Sequence, residues 1–179
     1  MKRIHTTKYL MVALFLTMSF FIKAQPNDES KGTFPFLSGE NLNGKTFNLP
    51  QDLPAEKTLV LIAFQREQQV DLDSWSQGLD LLNSQIAWIE VPVISTPYVL
   101  GSFIINSGMR IGIPNPKVRE RVITLYTDRE AFAKSMGIEY NKNEAYVAVI
   151  DRSGKNLGFV KGFYDENKAR EILSLLGLK

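Results

Sequence analysis

Apolar and polar positions divide most of the chain into short alternating segments. Thr58 to Phe64 (TLVLIAF) is a continuous run of seven rich in branched residues. Such a run predicts a strand buried on both faces. After a polar turn, Leu72, Trp75, Leu79, Leu82 and Ile86 recur at spacings of 3, 4, 3 and 4, one helical stripe. Asp71, Asp73 and Ser74 suit a helix start, and Gly78 lowers helix propensity while allowing close packing. Ala87 to Ile94 (AWIEVPVI) predicts a second central strand, with Pro92 marking an irregular end or a bulge. Tyr98 to Arg110 has helical spacing through Val99, Leu100, Phe103 and Ile104, and IGIPNP (Ile111 to Pro116) predicts a loop.

The second half repeats the pattern. Ile123 to Tyr126 predicts a strand. Thr127 or Asp128 caps a helix through Met136, which Gly137 ends. Ala145 to Asp151, a turn at Ser153-Gly154 and Asn156 to Lys161 predict an antiparallel hairpin. Asp165 caps a last helix that turns Ala169, Ile172, Leu173 and Leu176 inward before Gly177. Upstream, Asn43-Gly44 within ENLNGKTFNLPQDL predicts another hairpin. Short parallel units followed by a hairpin and a packing helix predict an α/β fold, a three-layer sandwich whose mixed central sheet carries helices on both faces.

The amino terminus reads differently. Lys2, Arg3 and Lys8 precede the 14-residue apolar stretch Tyr9 to Ile22, and Ala24 is a small residue placed before a cleavage site. This is the form of a secretory signal peptide over residues 1–24. It predicts export to the periplasm or cell envelope, with an uncleaved amino-terminal anchor as the alternative. QPNDESKGT, residues 25–33, reads as a flexible tether, and the folded domain is expected over 34–179.

The leader also changes the charge. It holds Lys2, Arg3, Lys8 and Lys23, so residues 25–179 carry 17 basic against 19 acidic residues, a formal charge of −2. Nothing in that balance points to nucleic acid. The chain has no cysteine, and its one histidine is His5. Thiol redox chemistry, cysteine nucleophiles, Ser-His-Asp triads and His/Cys zinc sites are thereby excluded from the mature chain. Carboxylates, Lys, Tyr, Ser/Thr and oxygen-ligated metals remain, and no cofactor is expected.

Phe34-Pro35-Phe36-Leu37-Ser38-Gly39, Leu42-Asn43-Gly44-Lys45, Phe47, Leu49-Pro50 and the VIDRSGK stretch from Val149 to Lys155 resemble the thioredoxin-like superfamily on its peroxiredoxin-like side. LIAFQREQQVDLDSW and INSGMRIGIPNPKVRERVITLYTDREAF resemble a cysteine-free group related to the mitochondrial ATP synthase assembly factors. That resemblance implies a non-catalytic role near a membrane complex. Gln65 to Gln69 stands where the superfamily places a CxxC or peroxidatic cysteine. Ala145 stands where a cis-proline would precede the strand.

Gln65, Arg66, Glu67, Gln68, Gln69 and Asp71 lie between a central strand and a helix start, where open α/β sheets bind ligands. They are read as a contact surface for a protein partner; a solvated turn with a helix cap is the plainer reading. Asp71 and Asp73 fit capping better than a cation site. Arg110, Lys117, Arg119 and Arg121 form a basic cluster suited to an acidic partner or lipid headgroups, with Arg110 and Arg119 as the preferred contacts; a charged surface face is the alternative. The leading expectation is an exported non-redox binding or assembly module close to a membrane. Carboxylate or Lys enzymology on the same scaffold is the other, with Glu90 and Asp151 as spare acids that nothing in the sequence pairs.

Overall fold

The computed structural model describes residues 31–95 and 97–178, without the side chains of 98–101. The expected signal peptide, the tether through residue 30, and the side chains of the apolar positions Val99 and Leu100 lie outside the described residues. Seven strands form one mixed sheet in the order β2-β1-β5-β4-β3-β6-β7. They are β1 (Leu37–Asn41), β2 (Thr46–Leu49), β3 (Lys57–Ala63), β4 (Trp88–Ile94), β5 (Ile123–Tyr126), β6 (Tyr146–Asp151) and β7 (Asn156–Lys161). β3 pairs parallel with β4 and β4 with β5, while β6 and β1 pair antiparallel at the two flanks. The helices are α1 (Gln69–Gly78), α2 (Tyr98–Gly112), α3 (Pro116–Arg121), α4 (Arg129–Ser135) and α5 (Glu166–Leu176). Among the described residues no helix is long and apolar enough to cross a membrane.

Alternation along the central strands fills two cores. Val60, Ile62, Ile89, Val91, Ile123 and Leu125 point to one face, where Phe132 and Ala133 of α4 close over them. Leu59, Leu61, Trp88 and Val147 point to the other, against Leu72 and Trp75 of α1 and Ala169 and Ile172 of α5. The expected sandwich with helices on both faces is therefore present. β4 runs straight through Pro92, paired with Ala63, so no bulge forms there.

Helix ends account for most differences from the sequence reading. α4 and α5 stop where Gly137 and Gly177 were expected to stop them, at φ of 67° and 81°. In α4 Ile138 N–H reaches Ala133 O and Gly137 N–H reaches Lys134 O, the bond pair of a Schellman cap. α1 ends in the same way without glycine. Leu81 N–H donates to Ser76 O, Asp80 N–H donates to Gln77 O, and Asp80 takes φ 45°. The helix therefore stops at Gly78, and the chain reverses so that Leu81 is buried while Leu82 is 49% exposed. The expected stripe holds at Leu72 and Trp75, and Leu79 and Ile86 pack only partly. Gly78 does permit close packing, since a Cβ there would stand 2.6 Å from the Tyr164 ring.

Two further boundaries shift. The expected loop at 111–116 is shorter, because α2 continues to Gly112 and α3 begins at Pro116 behind an Asn115 cap that accepts from Lys117 N–H. The domain also begins earlier than residue 34. Thr33 N–H donates to Ser135 O, and Asn156 N–H donates to Gly32 O. Lys31 to Thr33, assigned from the sequence to the tether, are thus part of the packed domain.

Candidate functional site

The junction after β3 is built from side chains that return to the backbone. Phe64 ends the buried run, its ring edge-on to Phe132, Tyr140 and Tyr146. Gln65 to Gln68 then turn through a single 3-10 turn into α1. Gln68 is 1% exposed. Its Oε1 accepts from Phe64 N–H at 2.6 Å and Gln65 N–H at 3.1 Å. Its Nε2 donates to Asn141 O at 2.9 Å and Glu144 O at 2.7 Å. One primary amide can make two bonds at each end without strain, and here every one is used.

Asp71 is 3% exposed, and its Oδ2 accepts the Ala145 N–H at 2.9 Å. Ala145 O in turn accepts from Gly162 N–H, whose own carbonyl accepts from Trp75 Nε1. Ser74 Oγ accepts from Tyr164 N–H and donates to Asp71 O. Three segments, 65–75, 141–145 and 162–164, are thereby held in one framework. Lys161 and Glu144 bridge its rim at 3.1 Å. A Glu144 hydrogen bond and charge hold the Lys161 ammonium above its ordinary pKa.

This arrangement divides the predicted contact residues. Gln68 and Asp71 are turned inward and hold the junction, so they offer no surface to a partner. Arg66 and Glu67 are exposed, and Gln65 and Gln69 are half-buried. Gln65 Nε2 donates to Tyr140 OH, and Gln69 Nε2 donates to Asp73 Oδ1. Val70 at 57% and Phe163 at 58% exposure stand apolar in solvent on two of the three tied segments, and the sequence reading named neither.

Arg110 and Arg119 are not beside the turn. Arg110 Nε donates to Leu42 O at 2.7 Å, and Leu42 N–H in turn points to Arg119 O and Val122 O. These contacts lie at the start of β5. The Gln65–Asp71 turn follows the end of β3, and both strands run parallel to β4. The two groups therefore sit at opposite ends of the sheet, separated by the length of a seven-residue strand, roughly 20 Å. Arg119 is half-buried, and its Nε is buried without a hydrogen-bond partner.

The acid that the sequence could not pair is placed by the sheet. Glu90 on β4 stands opposite Leu61, 7% exposed, with Gln69 and Asp73 of α1 nearby. Burial pushes its carboxyl from 4.5 up to about 7; a hydrogen bond with Gln69 opposes the rise, and the Asp73 charge adds to it. Asp151 is elsewhere and caps the Ser153 turn. Among the described residues no group of three His, Cys, Asp or Glu is placed to hold a metal ion.

No family model matches the chain, and no curated protein does. Solved structures do. A member of the Sco family of cytochrome c oxidase assembly proteins, BsSco, is 14% identical with a TM-score of 0.56, covering 82% of this chain and 92% of its own. Yeast Sco1 is 13% identical with a TM-score of 0.57, covering 82% and 95%. The pneumococcal exposed lipoprotein thioredoxin Etrx1 from Streptococcus pneumoniae strain TIGR4 is 15% identical with a TM-score of 0.51, covering 80% and 100%. The fold is thioredoxin-like. The comparisons show that fold and give no support to the finer resemblance to ATP synthase assembly factors. Another neighbour, an Arabidopsis thaliana ScoI, has copper bound. Copper sites draw on thiolate, imidazole and thioether donors. This chain has no Cys and only His5, and among the described residues the thioethers are Met136, fully buried in the core, and a single half-buried Met109 on α2. Its residues do not fit such a site.

Proposed function

We propose that this protein is an exported, non-redox thioredoxin-fold module that binds a protein partner of the cell envelope, in the manner of an assembly factor. The observation that carries the reading is Gln68. At the position where the fold places thiol chemistry, a buried amide spends all four of its hydrogen bonds on the backbone. Such a junction is rigid and without a nucleophile. Its exposed part, Arg66, Glu67, Val70 and Phe163, combines charge with apolar area, the composition of a small contact surface.

Two measurements test this. Purified protein should show no turnover with insulin disulfides or peroxide; measurable turnover sinks the non-redox reading. In-cell crosslinking should recover partners from wild type and lose them in Arg66→Glu/Phe163→Ser. Recovery of the same partners from that variant removes the turn from the site. Arg110→Gln, changed at the other end of the sheet, should leave this recovery intact.

A second reading rests on Glu90. A carboxyl held near 7 beside Gln69 and Asp73 is suited to proton transfer. A hydrolytic activity abolished by Glu90→Gln, in a variant that remains folded, would favour it over the binding role.

A further inference from the structure

α2 turns large apolar side chains into solvent. Phe103, Ile104 and Ile111 are 82%, 73% and 83% exposed, three of the four most exposed large apolar residues described, Phe36 being the other. At about 100° per residue they fall within one arc of roughly 100°, a single helix face. Residues 91–119 contain no Asp or Glu. The same end of the molecule carries Arg110, Lys117 and Arg121, and among the described residues none of these forms an ion pair. Arg110 is the last cation of α2, and Lys117 and Arg121 stand on α3, directly after it.

We infer that this face docks on an anionic lipid surface, with Phe103, Ile104 and Ile111 entering the acyl boundary and the cations meeting headgroup phosphates. An apolar stripe beside cations that form no ion pair and outnumber the one acid of α3, Glu120, is the composition of an interfacial surface. A two-fold dimer through the same face would set these cations against their own copies. The chain's path agrees with a lipid occupant. Residue 31 enters the domain beside Ser135 and Gly154, at the end of the sheet where α3 lies. With the leader kept as an uncleaved anchor, residues 25–30 lie between that entry and its apolar stretch at 9–22, and six residues span at most about 20 Å. The inference is independent of the protein-binding turn, which lies at the opposite end.

The absence of cysteine makes a local test possible. Ile111→Cys in the full chain takes one environment-sensitive bimane label, and Glu67→Cys places the same label at the far end. Vesicles of phosphatidylcholine alone are compared with vesicles that also contain phosphatidylglycerol. Emission at position 111 should shift to shorter wavelength with the anionic vesicles only, while position 67 does not respond. In the Lys117→Gln/Arg121→Gln background the binding constant read from that shift should fall about 30-fold. No shift at position 111 overturns the proposal, as does an equal response at position 67. A shift without lipid that grows with protein concentration also overturns it and assigns the face to a second copy. Phe103→Cys, on the same face, supplies the reading should Ile111→Cys fail to fold.

Discussion

The carboxylate of Asp71, on the first turns of α1, accepts the backbone N–H of Ala145 at 2.9 Å. The bond joins the helix start to the loop before β6, and both partners are buried. A proline at residue 145, which the superfamily resemblance leads one to expect, has no N–H to give. A non-proline residue at 145 and the aspartate at 71 are thus two halves of one hydrogen bond.

Asp71→Ala should destabilise the protein by about 2 kcal/mol, the cost of removing a charged acceptor from a buried donor. Ala145→Pro should cost a similar amount, because it removes the donor of the same bond. Urea unfolding of the two variants and their double should show less than the sum, since both delete the same bond. Additive effects would mean that the contact contributes little.

Gln68 and its neighbours separate structure from surface. Gln68→Ala leaves four backbone groups without their partner and should cost about 3 kcal/mol. Arg66→Ala and Glu67→Ala, both exposed, should stay within about 0.5 kcal/mol of wild type. Equal urea midpoints for all three would contradict the framework described for the junction.

Glu90 sets a pH dependence. Its folded pKa, about 7, lies above the ordinary 4.5, so between these values the folded state holds a proton that the unfolded state has released. Its favourable contribution is complete below pH 4.5 and is lost as pH rises through 7. The loss amounts to about 3 kcal/mol. Glu90→Gln should flatten this part of the stability profile and stabilise the protein at pH 8. An unchanged slope from pH 5 to 7.5 in the variant would assign the dependence to other groups.

Two glycines should respond in opposite directions. Gly78→Ala brings a Cβ to 2.6 Å from the Tyr164 ring, which packs edge-on against Trp75, and should cost about 1–3 kcal/mol. Gly108→Ala, in α2 with nothing within 4 Å, should stabilise by up to about 1 kcal/mol through helix propensity. The same sign for both in thermal or urea unfolding would contradict the packing of α1 against Tyr164.

The sequence by itself determined the order of the strands and of every helix but α3, and the two-sided core. Branched runs such as Thr58–Phe64 can be satisfied only by burial on both faces, and periodicity placed Leu72, Trp75 and Ile172 on the inward sides of their helices. It determined the cap at Asp165 and the stops at Gly137 and Gly177, because those depend on local backbone chemistry, and it narrowed the α4 cap to Thr127 or Asp128, of which the structure uses Asp128. It also determined the absence of thiol chemistry. Only the tertiary structure decided that α1 stops at Gly78, since an aspartate in the left-handed region carries no signal as strong as glycine. Only the fold decided which polar residues of the turn face inward. Gln65 and Gln68 are equivalent by composition, but the loop that Gln68 satisfies is more than 70 residues away in the chain. The same reason separates the turn from Arg110 and Arg119. Parallel strand pairing, which joins distant segments, puts the two groups at opposite ends of the sheet.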